Sequence, residues 1–250
     1  MRKVGLGHEA SAAPSPRQNA LVVGINDSPR SGLGHLTCAE HDAEQMREVL
    51  SSPACGFSVT LLCSDRATSA NVQSAIIELI RAHQDPDDYL LFYFSGHGCY
   101  VGGDVYLVTS DFNPEDIEYI RDRHLSLRVL RQLLYERTQA GRVLRTLDCC
   151  YPGDLAGSGP DANLEDLFEQ IRRYFTDNFA APSKTTTAPS NALRWTLAAA
   201  LANEPARDGT SPGSYSLLTG HILRALRGDV EKALDDDGRV RLENLVLYLR

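Results

Sequence analysis

Two short stretches hold residue types that could do covalent chemistry. Ser95-Gly96-His97-Gly98 sets an imidazole between two glycines, and Asp148-Cys149-Cys150 sets two thiols behind a carboxylate. The thiolate is the nucleophilic form of cysteine, and a nearby imidazolium stabilises it. A histidine and a cysteine that meet can therefore attack a carbonyl and pass the proton to the leaving group. Gly96 and Gly98 let the backbone turn sharply. With no side chain at position 98, its N–H can face the reacting carbonyl. That N–H and the N–H of Cys150 would form an oxyanion hole.

Something must bring these stretches together. Residues 89–94, apolar throughout, lead into the histidine, and residues 142–147 lead into the cysteines. An unbroken apolar strand suits a parallel sheet covered on both faces. Further strands are predicted at 19–25 and 57–63. Helices are predicted at 38–50, 69–83 and 125–135, with Asp65 and Thr68 as caps for the second. The alternation predicts an α/β fold: a three-layer α/β/α sandwich with a mostly parallel central sheet. Ligands bind such sheets beyond the strands' carboxyl ends, and neighbouring strands lie about 5 Å apart. Side chains at two such ends can meet.

Past Cys150 the character changes. A loop at 152–159 and a helix at 164–179 lead to a polar, Pro/Ser/Thr-rich linker at 180–191. A strand at 193–200 and a helix at 215–227 follow. Residues 242–250 begin a helix without a cap, so a longer protein is expected.

Composition removes several function classes. The chain has 250 residues, 42% hydrophobic and 23% charged, which is ordinary for a globular protein. Its formal net charge of −8 argues against broad nucleic-acid binding. No apolar run has the length of a membrane span, and the first residues do not read as a signal peptide. The six cysteines form no C-x-x-C pair, which argues for free thiols in a reducing cytoplasm. His97, Cys99, Cys149 and Cys150 have no standard zinc spacing, so no metal is expected there. The absence of a phosphate-cradling glycine loop argues against a nucleotide binder.

Taken together, the motifs resemble those of the caspase-like cysteine peptidases, in particular the bacterial metacaspase-like (orthocaspase) branch. Ala20–Asn26 is similar to that family's opening strand, residues 36–43 to its first helix entrance, Phe94–Gly98 to its histidine motif, and Asp148–Cys150 to its Asp-x-Cys motif. Cys150 follows His97 by 53 residues, against the roughly 50 of the caspase pattern. The resemblance implies that Cys150, not Cys149, is the nucleophile, with His97 as its catalytic partner. It also implies that Asp42 and Asp148 line a pocket for a basic side chain. A carboxylate pair suits a guanidinium held bidentately, so cleavage after Arg, or Lys, is expected.

Residues 1–18 read as a flexible leader, and by the same resemblance 19–154 is a large-subunit-like part carrying the His/Cys pair. An intersubunit-like linker spans 155–191, and a small-subunit-like part spans 192–250. The chemistry requires no cofactor. Calcium stands as a candidate activator, with Asp104, Asp111, Glu115 and Asp116 as candidate side chains. The expected partners are a protein or peptide substrate and a regulatory partner or fused sensor region, with no nucleic acid or membrane. Tyr151-Pro152-Gly153 departs from the family's His-Ser-Gly after the nucleophile. The competing reading is a non-proteolytic caspase-like module that binds partners or signals.

Overall fold

The computed structural model describes residues 16–83, 85–149, 192–199 and 214–249. Its strands, in chain order, are β1 (Gln18–Gly24), β2 (Ser58–Cys63), β3 (Tyr89–Ser95), β4 (Gly98–Val101), β5 (Asp104–Leu107), β6 (Arg142–Asp148) and β7 (Leu193–Ala198). Five of them form an all-parallel sheet in the order β2-β1-β3-β6-β7. β4 and β5 form a separate antiparallel hairpin. The α/β sandwich expected from the sequence is the observed architecture.

Alternation along the strands divides the core into two layers. Leu21, Val23, Leu90, Phe92, Phe94, Val143 and Leu147 face one side. There they meet helices α2 (Ser69–Ala82) and α4 (Leu127–Arg131). Ala20, Val22, Leu91 and Tyr93 face the other side. That side is covered by α1 (Ala39–Leu50) and α5 (Leu217–Leu226). Helix α3 (Ile117–Ile120) joins the small core of the hairpin through Ile117, and α6 (Leu242–Leu249) packs at the end of α5, with Leu249 reaching the second layer.

Gly24 fixes how close α1 comes. A Cβ there would sit 2.4 Å from the Ala39 carbonyl oxygen and 2.5 Å from the Ala43 Cβ. The missing side chain lets the first turn of α1 lie directly on the carboxyl end of β1. Asp42 is carried in that first turn.

Several boundaries differ from the sequence expectation. β1 starts at Gln18, inside the expected leader, and β7 ends at Ala198 rather than at 200. Thr68 caps α2 as expected, its side chain accepting from the Asn71 N–H, whereas Asp65 lies in a separate 3-10 turn. The helix expected at 125–135 is α4 passing into a π-helical turn, Gln132–Glu136. The β4–β5 hairpin was not foreseen. Its signal was the Gly102-Gly103 pair, whose φ angles of 60° and 79° suit a tight hairpin turn. The expected helix at 164–179 and the linker at 155–191 lie outside the described residues.

Candidate active site

His97 lies between the end of β3 and the start of the β4–β5 hairpin. Its Nε2 is 2.7 Å from the Gly34 carbonyl oxygen. A carbonyl only accepts, so Nε2 carries the proton, and in the neutral ring Nδ1 is the basic nitrogen. Nδ1 is buried and has no hydrogen-bond partner among the described residues.

The Gly34 carbonyl is held by its loop. Ile25 donates to Ser95 O at 3.0 Å and Leu36 to Asn26 O at 2.9 Å. The Glu40 N–H donates to Asn26 Oδ1, and the Asn26 N–H to Glu40 Oε1. Leu33 packs against the small core beneath the hairpin. Sequence reasoning missed Gly34, because a backbone carbonyl leaves no residue-type signal.

The two glycines around His97 serve different ends. Neither has a positive φ, so the turn does not depend on left-handed backbone. Gly96 answers to space, since a Cβ there would sit 2.9 Å from the Phe94 ring. Gly98 opens β4 opposite Leu107. The Val108 N–H donates to His97 O, and the Leu107 N–H goes to Leu125 O. Antiparallel pairs alternate between bonded and non-bonded positions. The Gly98 amide is thus left out of the hairpin ladder.

Strand register brings the second motif alongside. Ser95 pairs with Asp148, and the Gly96 N–H donates to Asp148 O at 3.2 Å. Cys149 is buried in the α2/α4 layer, on the opposite side from the Asp148 side chain. It serves there as a small core residue. Cys150, the next residue, lies outside the described residues.

Asp42 and Asp148 come together, although they belong to different elements. Asp42 is 0% exposed and Asp148 4%. Both reach Ser216, immediately before α5. The Ser216 N–H is 3.3 Å from each Asp42 carboxylate oxygen, and the Ser216 hydroxyl donates to Asp148 Oδ2. Thr219 donates to the same Oδ2 twice, from its N–H at 3.1 Å and from its hydroxyl at 2.5 Å. The Ser95 hydroxyl lies 3.5 Å from Asp42 Oδ2. The amino end of a helix favours negative charge, and these donors add to that field. Ser216 and Thr219 were given no role in the sequence, and Ser95 was noted only as the first residue of the histidine motif. Serine and threonine are common at strand ends and helix starts, so residue type alone carried no signal.

The remaining groups are occupied elsewhere. Burial pushes the Cys99 thiol up to about 12. Burial, with Glu40 nearby, pushes the Cys63 thiol up to about 11. Both thiols stay protonated and inert near neutral pH. Of the four candidate calcium ligands, Asp104 Oδ2 lies 3.4 Å from Arg128 Nε. Asp111 accepts from the Ser69 N–H and the Thr109 hydroxyl. Among the described residues, no group of three or more His, Cys, Asp or Glu side chains is arranged to hold a metal ion. Asp235 closes a local turn by accepting from the N–H groups of Asp237 and Arg239. Among the described residues, no helix is long and apolar enough to cross a membrane.

A parallel sandwich with a histidine and an Asp-Cys pair at adjacent strand ends fits a class, the caspase-like α/β proteins. The chain matches the caspase domain family over residues 17–240 and belongs to it. In structure it is similar to protein GSU0716 from Geobacter sulfurreducens, at 22% identity and a TM-score of 0.63. That match covers 94% of this chain and 90% of the other. Raptor from Chaetomium thermophilum aligns at 14% identity and a TM-score of 0.45, over 85% of this chain and 18% of its own. Among curated proteins, none matches the sequence.

Proposed function

We propose that the protein is a cysteine endopeptidase of the bacterial metacaspase-like branch, acting in the cytoplasm and cutting after Arg, or Lys. Membership of the caspase domain family supports peptidase chemistry. The specificity rests on one observation: Asp42 and Asp148, buried carboxylates from separate elements, converge on Ser216 beside the strand end that leads to His97. Two carboxylates held this close suit a planar guanidinium, which can donate to both.

In this reading His97 Nδ1 takes the thiol proton of Cys150. The thiolate attacks the carbonyl carbon after the basic residue. The N–H groups of Gly98 and Cys150 hold the resulting oxyanion. His97 then gives the proton to the leaving amine, the C–N bond breaks, and a thioester remains. Water, deprotonated by His97, releases the acid and regenerates the thiol. The Gly34 carbonyl keeps the ring in the tautomer these steps need. No cofactor enters the chemistry, and the role left to calcium is that of an activator. The part spanning 19–154 supplies the dyad, and the part spanning 192–250 completes the cleft.

Fluorogenic peptides ending in Arg, Lys or Asp, with and without calcium, test this beside a Cys150→Ala variant. Release after Arg or Lys that the variant loses is the expected result. Release after Asp would keep the peptidase and discard the acidic pocket. If no peptide is released and an arginyl electrophile does not label Cys150, the non-proteolytic module becomes the better reading.

A further inference from the structure

Asp148 is held by more than its immediate donors. Tyr93 sits two residues before Ser95 on the same face of β3 and is wholly buried. Its hydroxyl oxygen is 2.6 Å from Thr219 Oγ1, which in turn is 2.5 Å from Asp148 Oδ2. The threonine hydroxyl has a single proton, and an ionised carboxylate can only accept. Thr219 therefore donates to Asp148, and Tyr93 must donate to Thr219. Burial, and then the charges of Asp148 and Asp42, push the Tyr93 phenol well above its usual range, so it remains a donor. Phe92 and Phe94, its neighbours on the strand, fill the opposite layer with bare rings. A phenylalanine at 93 would fill the same volume, and only the hydroxyl distinguishes the tyrosine.

We propose that Tyr93 and Thr219 form a hydrogen-bond relay that fixes the Asp148 carboxylate for a substrate guanidinium, making both of them positioning residues for specificity. The inference rests on the endopeptidase reading above. Donors linked in series to a charged acceptor reinforce one another. With the relay intact, Asp148 is locked in one orientation on one side of Ser216, with Asp42 on the other. Without it, the carboxylate keeps the Ser216 hydroxyl and the Thr219 N–H, but its third donor is free to rotate and its direction is less tightly set. Ground-state binding of a cationic side chain then weakens, while the sulfur chemistry at the strand ends is untouched. A neutral isostere such as citrulline, which gains little from the carboxylates, is indifferent to the change.

The test compares Thr219→Val, Thr219→Ser and Tyr93→Phe with the wild-type protein on matched Arg and citrulline peptides, with thermal unfolding as a folding control. Thr219→Val should raise KM for the Arg peptide about tenfold, the scale of one hydrogen bond to a charged group, with kcat within twofold. Tyr93→Phe should raise it about threefold, the scale of one neutral hydrogen bond. Thr219→Ser, which keeps the hydroxyl, should restore the wild-type value, and the citrulline peptide should respond to none of the three. An unchanged Arg-to-citrulline ratio, or a Thr219→Ser variant as impaired as Thr219→Val, overturns the relay while leaving the Arg-directed peptidase standing.

For an enzyme without turnover, the same comparison is made on binding of N-acetyl-arginine amide to the Cys150→Ala protein, with and without Thr219→Val. Weaker binding to the double variant supports the relay. Equal binding to both overturns the relay alone, and no binding to either overturns both the relay and the acidic pocket.

Discussion

Arg145 and Asp148 stand three residues apart on β6, and each is a charged side chain buried in the sandwich. They point to opposite layers. Arg145 lies mid-strand, its guanidinium stacked 3.7 Å over the Tyr135 ring and donating to the Thr196 hydroxyl at 2.6 Å. It ties the π-helical turn to β6 and β7. Asp148 is the last residue of its strand, where the chain leaves the sheet, and its partners come from the amino end of a helix. Burial does not separate the two. Position along the strand does: a charge inside the sheet can act only on its neighbours, whereas a charge at the carboxyl edge borders the crevice where parallel sheets bind ligands.

The contrast fails most visibly if Asp148→Ala leaves activity intact. That substitution strands the donors of Ser216 and Thr219 and removes half of the acidic pair. Loss of a buried, hydrogen-bonded charge costs about 3 kcal/mol or more. We expect kcat/KM for Arg peptides to fall on the order of a hundredfold. Steady-state kinetics beside a thermal unfolding curve will show it.

Gly24→Ala sharpens the comparison from a distance. The new methyl would force α1 off β1 and carry Asp42 with it. Overpacking of this kind costs about 1–3 kcal/mol, read from denaturant unfolding, and KM should rise more than kcat falls. Arg145→Met addresses the other charge. It should destabilise the protein by about 1–2 kcal/mol through the lost contact with Tyr135, and KM for Arg peptides should stay within twofold. A larger change in KM would erase the distinction between mid-strand and strand-end charge.

The smallest expected effect concerns His124, buried away from the sheet between the Tyr106 and Phe112 rings. Burial lowers its pKa below 6.5, against the pull of Asp111 and Asp116 and with the push of Arg123 and Arg30. As pH falls through 6.5 the unfolded chain therefore takes up the proton before the folded one does. Stability present above pH 6.5 is lost as pH falls toward the folded value. His124→Leu should flatten the dependence of unfolding free energy on pH between 7 and 5. An unchanged slope would move the acid sensitivity to another group, the strand-end carboxylates included.

Much of this was legible in the sequence, for identifiable reasons. The unbroken apolar run at 89–94 required a strand covered on both faces, and both layers meet it. The His97 and Asp148 motifs followed strands and stand at neighbouring strand ends. Asp42 and Asp148 were picked out through the family resemblance, and they meet. The carbonyl of Gly34 was not legible, because any residue carries one. Ser216, Thr219 and Tyr93 were missed because their types are common at helix starts and in cores. Only the register of β3 with β6, and the docking of α5, gives those hydroxyls a purpose. The hairpin after His97 was missed because four-residue strands hold too little pattern to stand out.

The pocket's hydrogen bonds join residues 53 to 174 positions apart in the chain. A growing polypeptide leaves the ribosome from its amino end. Asp148 emerges 68 residues ahead of Ser216, and Tyr93 emerges 126 ahead of Thr219. His97 and the Gly34 carbonyl are thus available while the donors that organise the acidic pair have not yet been made. During synthesis the histidine motif and both carboxylates are therefore made well before the hydroxyls that hold Asp148, so a half-made chain carries the acidic pair without the donors that organise it.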